Sequence, residues 1–428
     1  MLRRLDLRGF EGDLRAALPR PVVDGDEPVE AVRRILDDVR ERGDRALADY
    51  TLRFDGVALA SAAVDLGQAR RALDDLPGEL RAALDQAAAN IERYHRHQRP
   101  VDDCYRYDGV EVRSLFRPVE RAGCYVPGGR ALYPSTVLMT AIPARAAGVD
   151  EVVLCVPPGA DGAIPAVTLA AAAIAGVDEI YAVGGAQAVG AMAYGTDTIA
   201  PVDVIVGPGN IYVAIAKREV AGTVGVPSAF AGPSEVVVVA DGTDPIDLAA
   251  IDVVVQAEHG PDGLAWFVTW KLDVADAVCA AIDEIVANAA RRDEIQATLA
   301  QAGIVALVDG PEQAMAVANQ IAPEHLQLMC ADNDALLASV RHAGAVFCGP
   351  WAPASYGDYI AGPSHVLPTN GTARFSQSLT VFDFLKDVHV VTVDESAGRR
   401  LAPHVEQLAA AEGLDAHAQS ARLRRERP

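Results

Sequence analysis

Apolar positions recur along the chain with two different periods. Over residues 28–98 they follow the spacing of amphipathic helices, as Val32 and Leu36 illustrate. From Glu151 onward the pattern changes to short runs of β-branched residues, each followed by an alanine-rich segment. Strands that alternate with helices predict right-handed βαβ units and a parallel sheet. The pattern therefore predicts a helical N-terminal region followed by α/β structure.

The α/β pattern forms two series in tandem. The first is predicted to have strands at 151–156, 179–183 and 202–206, with helices at 164–176, 186–194 and 210–221. The second is predicted to have strands at 234–240, 264–269, 303–308, 325–330 and 343–348, with helices at 245–258, 273–300, 311–320 and 333–342. Residues after Val393 are predicted to form a polar helical tail. The predicted fold class is therefore α/β, with two tandem parallel-sheet units.

Length and charge narrow the classes of protein to which the chain can belong. At 428 residues it is long enough for two or three domains. An excess of 59 acidic over 37 basic residues gives a net charge of −22, which would repel a phosphate backbone. Nucleic acid is therefore not an expected partner.

Neither a signal peptide nor a membrane segment is recognisable in the sequence. The basic N-terminus lacks a following apolar run, and Pro and Asp interrupt the alanine-rich stretch around 164–177 before it reaches membrane-spanning length. Six cysteines are scattered without a CxxC pair, as is typical of reduced, buried thiols. We therefore expect a soluble cytoplasmic protein without a membrane partner.

Three glycine-rich turns are candidates for ligand binding. They span residues 125–130, 183–187 and 206–210, and the last two lead directly into predicted helices. The first N–H groups of such helices can receive a pyrophosphate. No GxGxxG fingerprint is present, however, so the residues alone support a dinucleotide site and ligand-free tight turns equally.

The predicted helix 245–258 ends with a possible pair of metal ligands. Gln256 and His259 are three residues apart and therefore share one face of its last turn. They could bind a metal ion, although a histidine stabilised by the negative end of the helix dipole explains the same pattern. The residues alone favour the second explanation.

Acid and base side chains also occur together at three later positions. Glu324 and His325 follow a proline at the start of a strand, where they could serve one substrate or form a solvated surface pair. The irregular segment 355–375 contains Asp358, and loops of this length in compact domains are usually functional. In the tail, Glu412 and His417 fit a solvated helix as well as a site.

Taken together, these segments resemble the histidinol dehydrogenase family. The matching motifs occur in the family's order from about residue 110 to the tail, and together they are highly specific. They are 125–130 with 133–135, 184–188, 207–213 with Lys217, 231–235, 256–261, 322–326, 357–369 and 412–417.

The resemblance implies one zinc ion per subunit. Its expected ligands are Gln256, His259 and Asp358 of one subunit, with His417 supplied by the tail of the partner in a homodimer. Two nitrogens and two oxygens are an acceptable ligand set for Zn²⁺. The family uses the metal to hold the imidazole and amine of the substrate, as a positioning template and Lewis acid.

The resemblance also implies a four-electron oxidation of L-histidinol to L-histidine through L-histidinal, with two molecules of NAD. His325 is expected to act as the base in both rounds, and Glu324 to activate the water that adds to the aldehyde. Further residues match the family's ligand contacts. Those for substrate are Ser234, Gln256, His259, His325, Asp358, Glu412 and His417, and those for NAD are Tyr125, Gln187 and Asn210.

With this resemblance, both units are expected to be incomplete Rossmann-like domains, which accounts for the missing fingerprint. Residues 125–234 are expected to bind NAD, and residues 26–124 with 235–380 to bind substrate and zinc. An N-terminal helical segment is expected at 1–25, and a tail that docks on the partner subunit at 381–428.

Two other functions could use some of the same residues. A zinc hydrolase of amino-acid amides would also use His, Asp and Glu, but it has no use for three glycine-rich turns at strand ends. A non-catalytic module that binds NAD or an amino acid would leave the Glu324–His325 pair without a role.

Overall fold

The structure is a computed structural model and describes residues 2–19, 28–58, 60–128, 132–228, 232, 234–258 and 263–427. Within these residues the strands are β1 (Arg3–Asp6), β2 (Ala63–Val64), β3 (Asp103–Tyr107), β4 (Val110–Pro118), β5 (Arg121–Tyr125), β6 (Glu151–Val156), β7 (Glu179–Ala182), β8 (Val204–Val206), β9 (Glu235–Ala240), β10 (Leu264–Thr269), β11 (Gly303–Leu307), β12 (His325–Met329), β13 (Ala345–Cys348) and β14 (Leu385–Val393).

The α-helices of the same residues connect and flank these strands. They are α1 (Leu14–Ala17), α2 (Val29–Arg42), α3 (Asp44–Asp55), α4 (Leu66–Asp74), α5 (Gly78–Gln98), α6 (Pro134–Ala147), α7 (Ala166–Ala175), α8 (Gly185–Tyr194), α9 (Ile211–Val220), α10 (Ile246–Ala257), α11 (Leu272–Ala287), α12 (Arg292–Ala302), α13 (Pro311–Ile321), α14 (Asn333–Leu337), α15 (Ala354–Tyr359), α16 (Glu395–Ala411) and α17 (Asp415–Arg425). None of the helices in the described ranges is long and apolar enough to cross a membrane.

The first parallel sheet has the strand order β2-β7-β6-β5-β8, with only the short β2 antiparallel to its neighbour. Along β6, Val152 and Leu154 point into one apolar core with α6 and α7, whereas Val153 and Cys155 point into the other with α2 and α8. Burial on both faces explains the unbroken run of apolar residues in this strand.

The second parallel sheet has the order β1-β11-β10-β9-β12-β13. Its central strand β9 places Val236 and Val238 against α10, α11 and α12, and Val237 and Val239 against α13. A separate antiparallel sheet has the order β14-β4-β3, and the chain ends with the packed helices α16 and α17.

The structure confirms the α/β fold class, the two tandem parallel-sheet units and the helical tail. Several details differ from the predictions. Strand β5 of the first sheet is not among the predicted strands, and the predicted helix 333–342 is only α14. The predicted helix 273–300 is two helices, α11 and α12. The described part of residues 1–25 is not simply helical, because it begins with β1, an edge strand paired with β11, and contains only the single turn α1.

A further difference concerns the helical region 28–98. The sequence analysis predicts it to be part of the substrate and zinc unit, but its helices pack on the first sheet. Buried Ile35 and Leu36 of α2 lie in the same apolar core as α8 and α9, and Leu84 and Ile91 of α5 lie in the core of α6 and α7.

Candidate active site

Glu324 and His325 lie at the amino end of β12, where the chain enters the second sheet. Helix α13 ends at Ile321, and Ala322 adopts the left-handed conformation with φ of 53°, which turns the chain toward the strand. His325 is in register with Val236 of β9. Because the pair lies at the amino end of its strand, the rule that ligands bind at carboxyl ends does not predict it.

Both side chains of this pair are buried, with residue exposures of 7% for Glu324 and 4% for His325. Oε2 of Glu324 accepts a hydrogen bond from Glu235 N at 3.1 Å and lies 3.7 Å from Nδ1 of His325. Nε2 of His325 lies 3.3 Å from Oδ1 of Asp358. The imidazole therefore stands between two carboxylates, and a solvated surface pair is excluded.

The environment shifts the protonation equilibria of both groups. Burial raises the pKa of Glu324, against the lowering effects of His325, the Glu235 N–H and the Ser234 hydroxyl. Burial alone would lower the pKa of His325, but the nearby carboxylates of Glu324 and Asp358 outweigh it and raise that pKa to about 9. The pair thus combines a carboxyl group that is easily protonated with an imidazole that holds its proton strongly.

The segment 355–375, predicted as an irregular loop, is partly helical. Asp358 lies in α15, and a 3₁₀ turn covers Thr372–Arg374. The segment packs on the first unit, because Asn90 of α5 donates a hydrogen bond to Ile360 O at 2.8 Å. The segment therefore contacts the first unit through Ile360 and places Asp358 beside the catalytic pair of the second unit.

Sequence reasoning gave no role to several residues that support this site. His365 links the loop to α6, since its Nδ1 lies 2.8 Å from the carbonyl oxygen of Asp358 and its Nε2 lies 3.1 Å from Oγ1 of Thr136. The ring of Phe347 lies 5.9 Å from that of His325. His365 belongs to the 357–369 motif, which is a signal that could have singled it out, whereas Phe347 looks like an ordinary core residue of a strand.

Gln256 lies in the last turn of α10 and is buried. Within the described residues its Nε2 has no hydrogen-bond partner. His259, its expected companion ligand, lies outside the described residues. A buried amide without a hydrogen-bond partner lowers the free energy of unfolding, so this side chain fits a position that receives a ligand. Amide O and N are hard to distinguish, and either atom can face that ligand.

The three glycine-rich turns follow strands β5, β7 and β8, at the carboxyl edge of the first sheet, as the sequence predicted. Tyr125 is buried, and its hydroxyl accepts a hydrogen bond from Gly185 N at 3.1 Å. Gln187 is buried too, and Asn210 caps α9 by accepting hydrogen bonds from two N–H groups. The side chains expected to contact NAD therefore lie on neighbouring turns.

The tail residues Glu412 and His417 are exposed at the junction of α16 and α17. Among the described residues of one chain, no three His, Cys, Asp or Glu side chains form a group that could hold a metal ion. One chain therefore does not bring the complete predicted ligand set together in its described part.

Comparison with known proteins agrees with the fold and with the order of the motifs. A family model described as histidinol dehydrogenase matches residues 18–425. A relative named histidinol dehydrogenase from Gluconobacter oxydans is 46% identical and covers 100% of both chains, and one from Dehalococcoides mccartyi is 44% identical over 99% of this chain and 97% of its own length.

A solved structure gives the same result in three dimensions. The crystal structure of histidinol dehydrogenase from Elizabethkingia anophelis superposes with a TM-score of 0.95 at 33% identity, and the match covers 99% of this chain and 98% of that one. Sequence, motifs and fold thus agree over nearly the whole length. The chain belongs to the histidinol dehydrogenase family.

Proposed function

We propose that the chain catalyses the NAD-dependent, four-electron oxidation of L-histidinol to L-histidine through L-histidinal, the last steps of histidine biosynthesis. The observation that supports this most is the buried imidazole of His325 between the carboxylates of Glu324 and Asp358. Family membership supplies the substrate, and the buried acid–base pair supplies groups for its proton transfers. A cytoplasmic location stays a prediction from the sequence.

In the first round, the neutral form of His325, whose share increases as pH rises toward its pKa of about 9, takes the proton of the substrate hydroxyl as hydride leaves for NAD. The imidazolium that forms is stabilised by both adjacent carboxylates, which is the same effect that raises the pKa of His325. The histidine must return this proton to solvent before the second round. Its position between two carboxylates also fixes the orientation of the ring.

In the second round, Glu324 activates the water that adds to the aldehyde. Burial raises the pKa of this carboxyl group toward the working pH, which makes it a better proton acceptor than an exposed glutamate. The hydrated aldehyde is a gem-diol, which passes a hydroxyl proton to His325 and a hydride to a second NAD. This route needs no covalent thioester.

We infer that Gln256, His259 and Asp358, with His417 from the partner's tail, hold one zinc ion per subunit. The unpartnered amide of Gln256 and the carboxylate of Asp358 fit this role, and imidazole and oxygen ligands suit Zn²⁺. When bound, zinc would hold the imidazole and amine of the substrate and act as a Lewis acid.

The NAD site is proposed at the carboxyl edge of the first sheet, with Tyr125, Gln187 and Asn210 as contacts. The unpartnered Oε1 of buried Gln187 is one polar atom available to a ligand in the described structure. We further propose that the first unit binds NAD and that the second unit, with the loop that bears Asp358, binds substrate through Ser234, His259, His325 and the tail.

Exposed apolar side chains support a homodimer whose tails complete the sites. Val391 of β14 is 63% exposed and Leu408 of α16 is 68% exposed, so the antiparallel sheet and the tail both offer apolar surface. Trp351 and Phe375, at 84% and 72% exposure, flank the loop that bears Asp358. A partner tail carrying Glu412 and His417 would cover such a surface.

The proposed function is tested by incubating the purified protein with zinc, L-histidinol and NAD while NADH absorbance is followed. Two NADH for each histidine are expected, because each oxidation delivers one hydride. Release of an amine or acid without NADH would favour the hydrolase. Ligand binding without any turnover would favour the non-catalytic module.

A further inference from the structure

Lys217 of α9 is the least exposed Lys, Arg, Asp or Glu among the described residues, with 3% of its surface accessible. Its Nζ donates hydrogen bonds to two backbone carbonyls, those of Gly207 and, at 3.4 Å, Ser228. Within the described part of the chain no carboxylate pairs with this ammonium. Burial lowers the pKa of Lys217 to about 8. The side chain therefore still carries its charge at neutral pH.

Gly207 opens the turn from β8 into α9 and packs directly on the first glycine-rich turn. Its φ is 107°, and a Cβ at this position would lie 2.0 Å from the carbonyl oxygen of Tyr125. Tyr125 in turn accepts the hydrogen bond from Gly185 N. Lys217 thus holds the 206–210 turn, which contains Asn210. Through Tyr125 this turn contacts the other two glycine-rich turns.

Ser228, the second acceptor, begins the connection to the other unit. The chain then runs to Ser234, whose hydroxyl forms a hydrogen bond with the carboxylate of Glu324. Glu235 follows and donates its N–H to the same carboxylate. The ammonium therefore joins the 207–210 turn to Ser228, six residues before Ser234, which contacts Glu324.

We propose that Lys217 is a positioning residue for NAD, which holds the 207–210 turn and the backbone of Ser228 at a fixed separation. The inference rests on the proposed NAD function of these turns. Burying an ammonium opposes folding, and an apolar side chain of similar length would fill the same space without that penalty. The charge of Lys217 is instead explained by its role of ordering the carbonyl groups of Gly207 and Ser228 beside the NAD site.

The test compares Lys217→Met, which keeps the length and removes the donors, with Lys217→Arg, which keeps the charge. Lys271→Met makes the same chemical change at an exposed residue of the second unit. Lys217→Met is expected to raise KM for NAD on the order of tenfold, equivalent to about 1.4 kcal/mol. KM for histidinol and zinc content should stay at wild-type values, and Lys217→Arg should restore part of the NAD affinity.

A merely structural lysine would behave differently. Lys217→Met would then lower the melting temperature and the active fraction, with KM for NAD unchanged, and that result would overturn the inference. If Lys217→Met does not fold, Lys217→Gln keeps an uncharged NH₂ group with two N–H donors and is expected to show an intermediate KM for NAD; an unchanged value would equally reject the proposal. Wild-type protein that yields no NADH would contradict the proposed function alone, since calorimetric titration with NAD tests Lys217 without turnover.

Discussion

The Nε2 atom of His325 lies 3.3 Å from Oδ1 of Asp358, and these two residues belong to parts of the chain that pack on different sheets. His325 begins β12 of the second sheet, whereas the loop of Asp358 is fastened to α5 through Asn90. The contact therefore joins the two units at the proposed base. Since Asp358 is also a proposed zinc ligand, one carboxylate links metal binding with orientation of the imidazole.

Replacing His325 with asparagine should abolish most turnover while leaving the ligands bound. Asparagine keeps polar contact with Asp358 but accepts no proton at working pH. We expect kcat to fall on the order of 10² to 10⁴, the usual contribution of a general base. Zinc content and histidinol affinity, measured by metal analysis and calorimetry, should change little.

The matched control for this variant is His97→Asn, which alters an exposed histidine at the end of α5. It should retain wild-type kcat. Wild-type turnover in His325→Asn would remove His325 from the mechanism, and loss of zinc would reassign it to metal binding.

Replacing Glu324 with glutamine should separate the two oxidations. Glutamine preserves the size of the side chain and can still accept the hydrogen bond from Glu235 N, but it cannot take a proton from water. Oxidation of supplied histidinal should therefore slow on the order of 10² or more. Oxidation of histidinol to the aldehyde should be affected much less, which single-turnover measurement of NADH can resolve. Equal slowing of both steps would contradict a specific role in water activation.

Most of the parallel strands could be predicted from the sequence, because burial on both faces requires a continuous run of apolar residues. All five residues Val152–Val156 are buried, and the run contains no charged residue. Strands β3 and β14 of the antiparallel sheet have no such apolar run. Every residue of β3 is exposed, and β14 mixes charged and polar residues with its valines and is largely exposed. β14 joins this sheet by pairing with a distant segment, such as Asp387 with Phe116, which local patterns do not encode. β3 and β4 form a local hairpin across Asp108-Gly109, which is a turn that the sequence does signal.

The site shows the same division between local and long-range information. Motifs located Glu324, His325 and Asp358, because each stands in an unusual local context. Their burial and mutual distances depend on how the two units meet, which periodicity does not specify. Likewise β1 has the sequence Arg-Arg-Leu-Asp and becomes a strand only through pairing with β11, some 300 residues later in the chain.

If the tail of each subunit completes the site of its partner, two inactive variants should complement each other. Asp358→Ala and His417→Ala each disrupt both sites of a pure dimer. In a mixed dimer, one site receives an intact Asp358 from one subunit and an intact His417 from the other. Mixing the two variants after dissociation should therefore restore zinc binding and NADH production to a part of the dimers.

His404→Ala provides the control, because His404 is an exposed histidine of α16 outside the proposed ligand set. That variant should bind zinc as wild type does. Full zinc content in pure His417→Ala would show that His417 is not a ligand. Failure of the mixed dimers to recover, with both variants still dimeric, would indicate that the tail serves its own subunit.

The buried ammonium of Lys217 should make stability depend on pH in the alkaline range. In the unfolded chain its pKa returns to the ordinary lysine value of 10.5, whereas burial lowers the pKa in the folded protein to about 8. Below pH 8 both states hold the proton, and the contribution of Lys217 is constant. Between these two values the unfolded state binds more protons, so this group makes the protein more stable as pH rises, by at most about 1.4 kcal/mol per pH unit.

Urea unfolding of wild type and Lys217→Met between pH 8 and 10.5 isolates the effect, with Lys271→Met as the control. The difference in unfolding free energy between wild type and Lys217→Met should shift in favour of wild type as pH increases, and a difference that is flat with pH would show that Lys217 titrates normally in the folded protein.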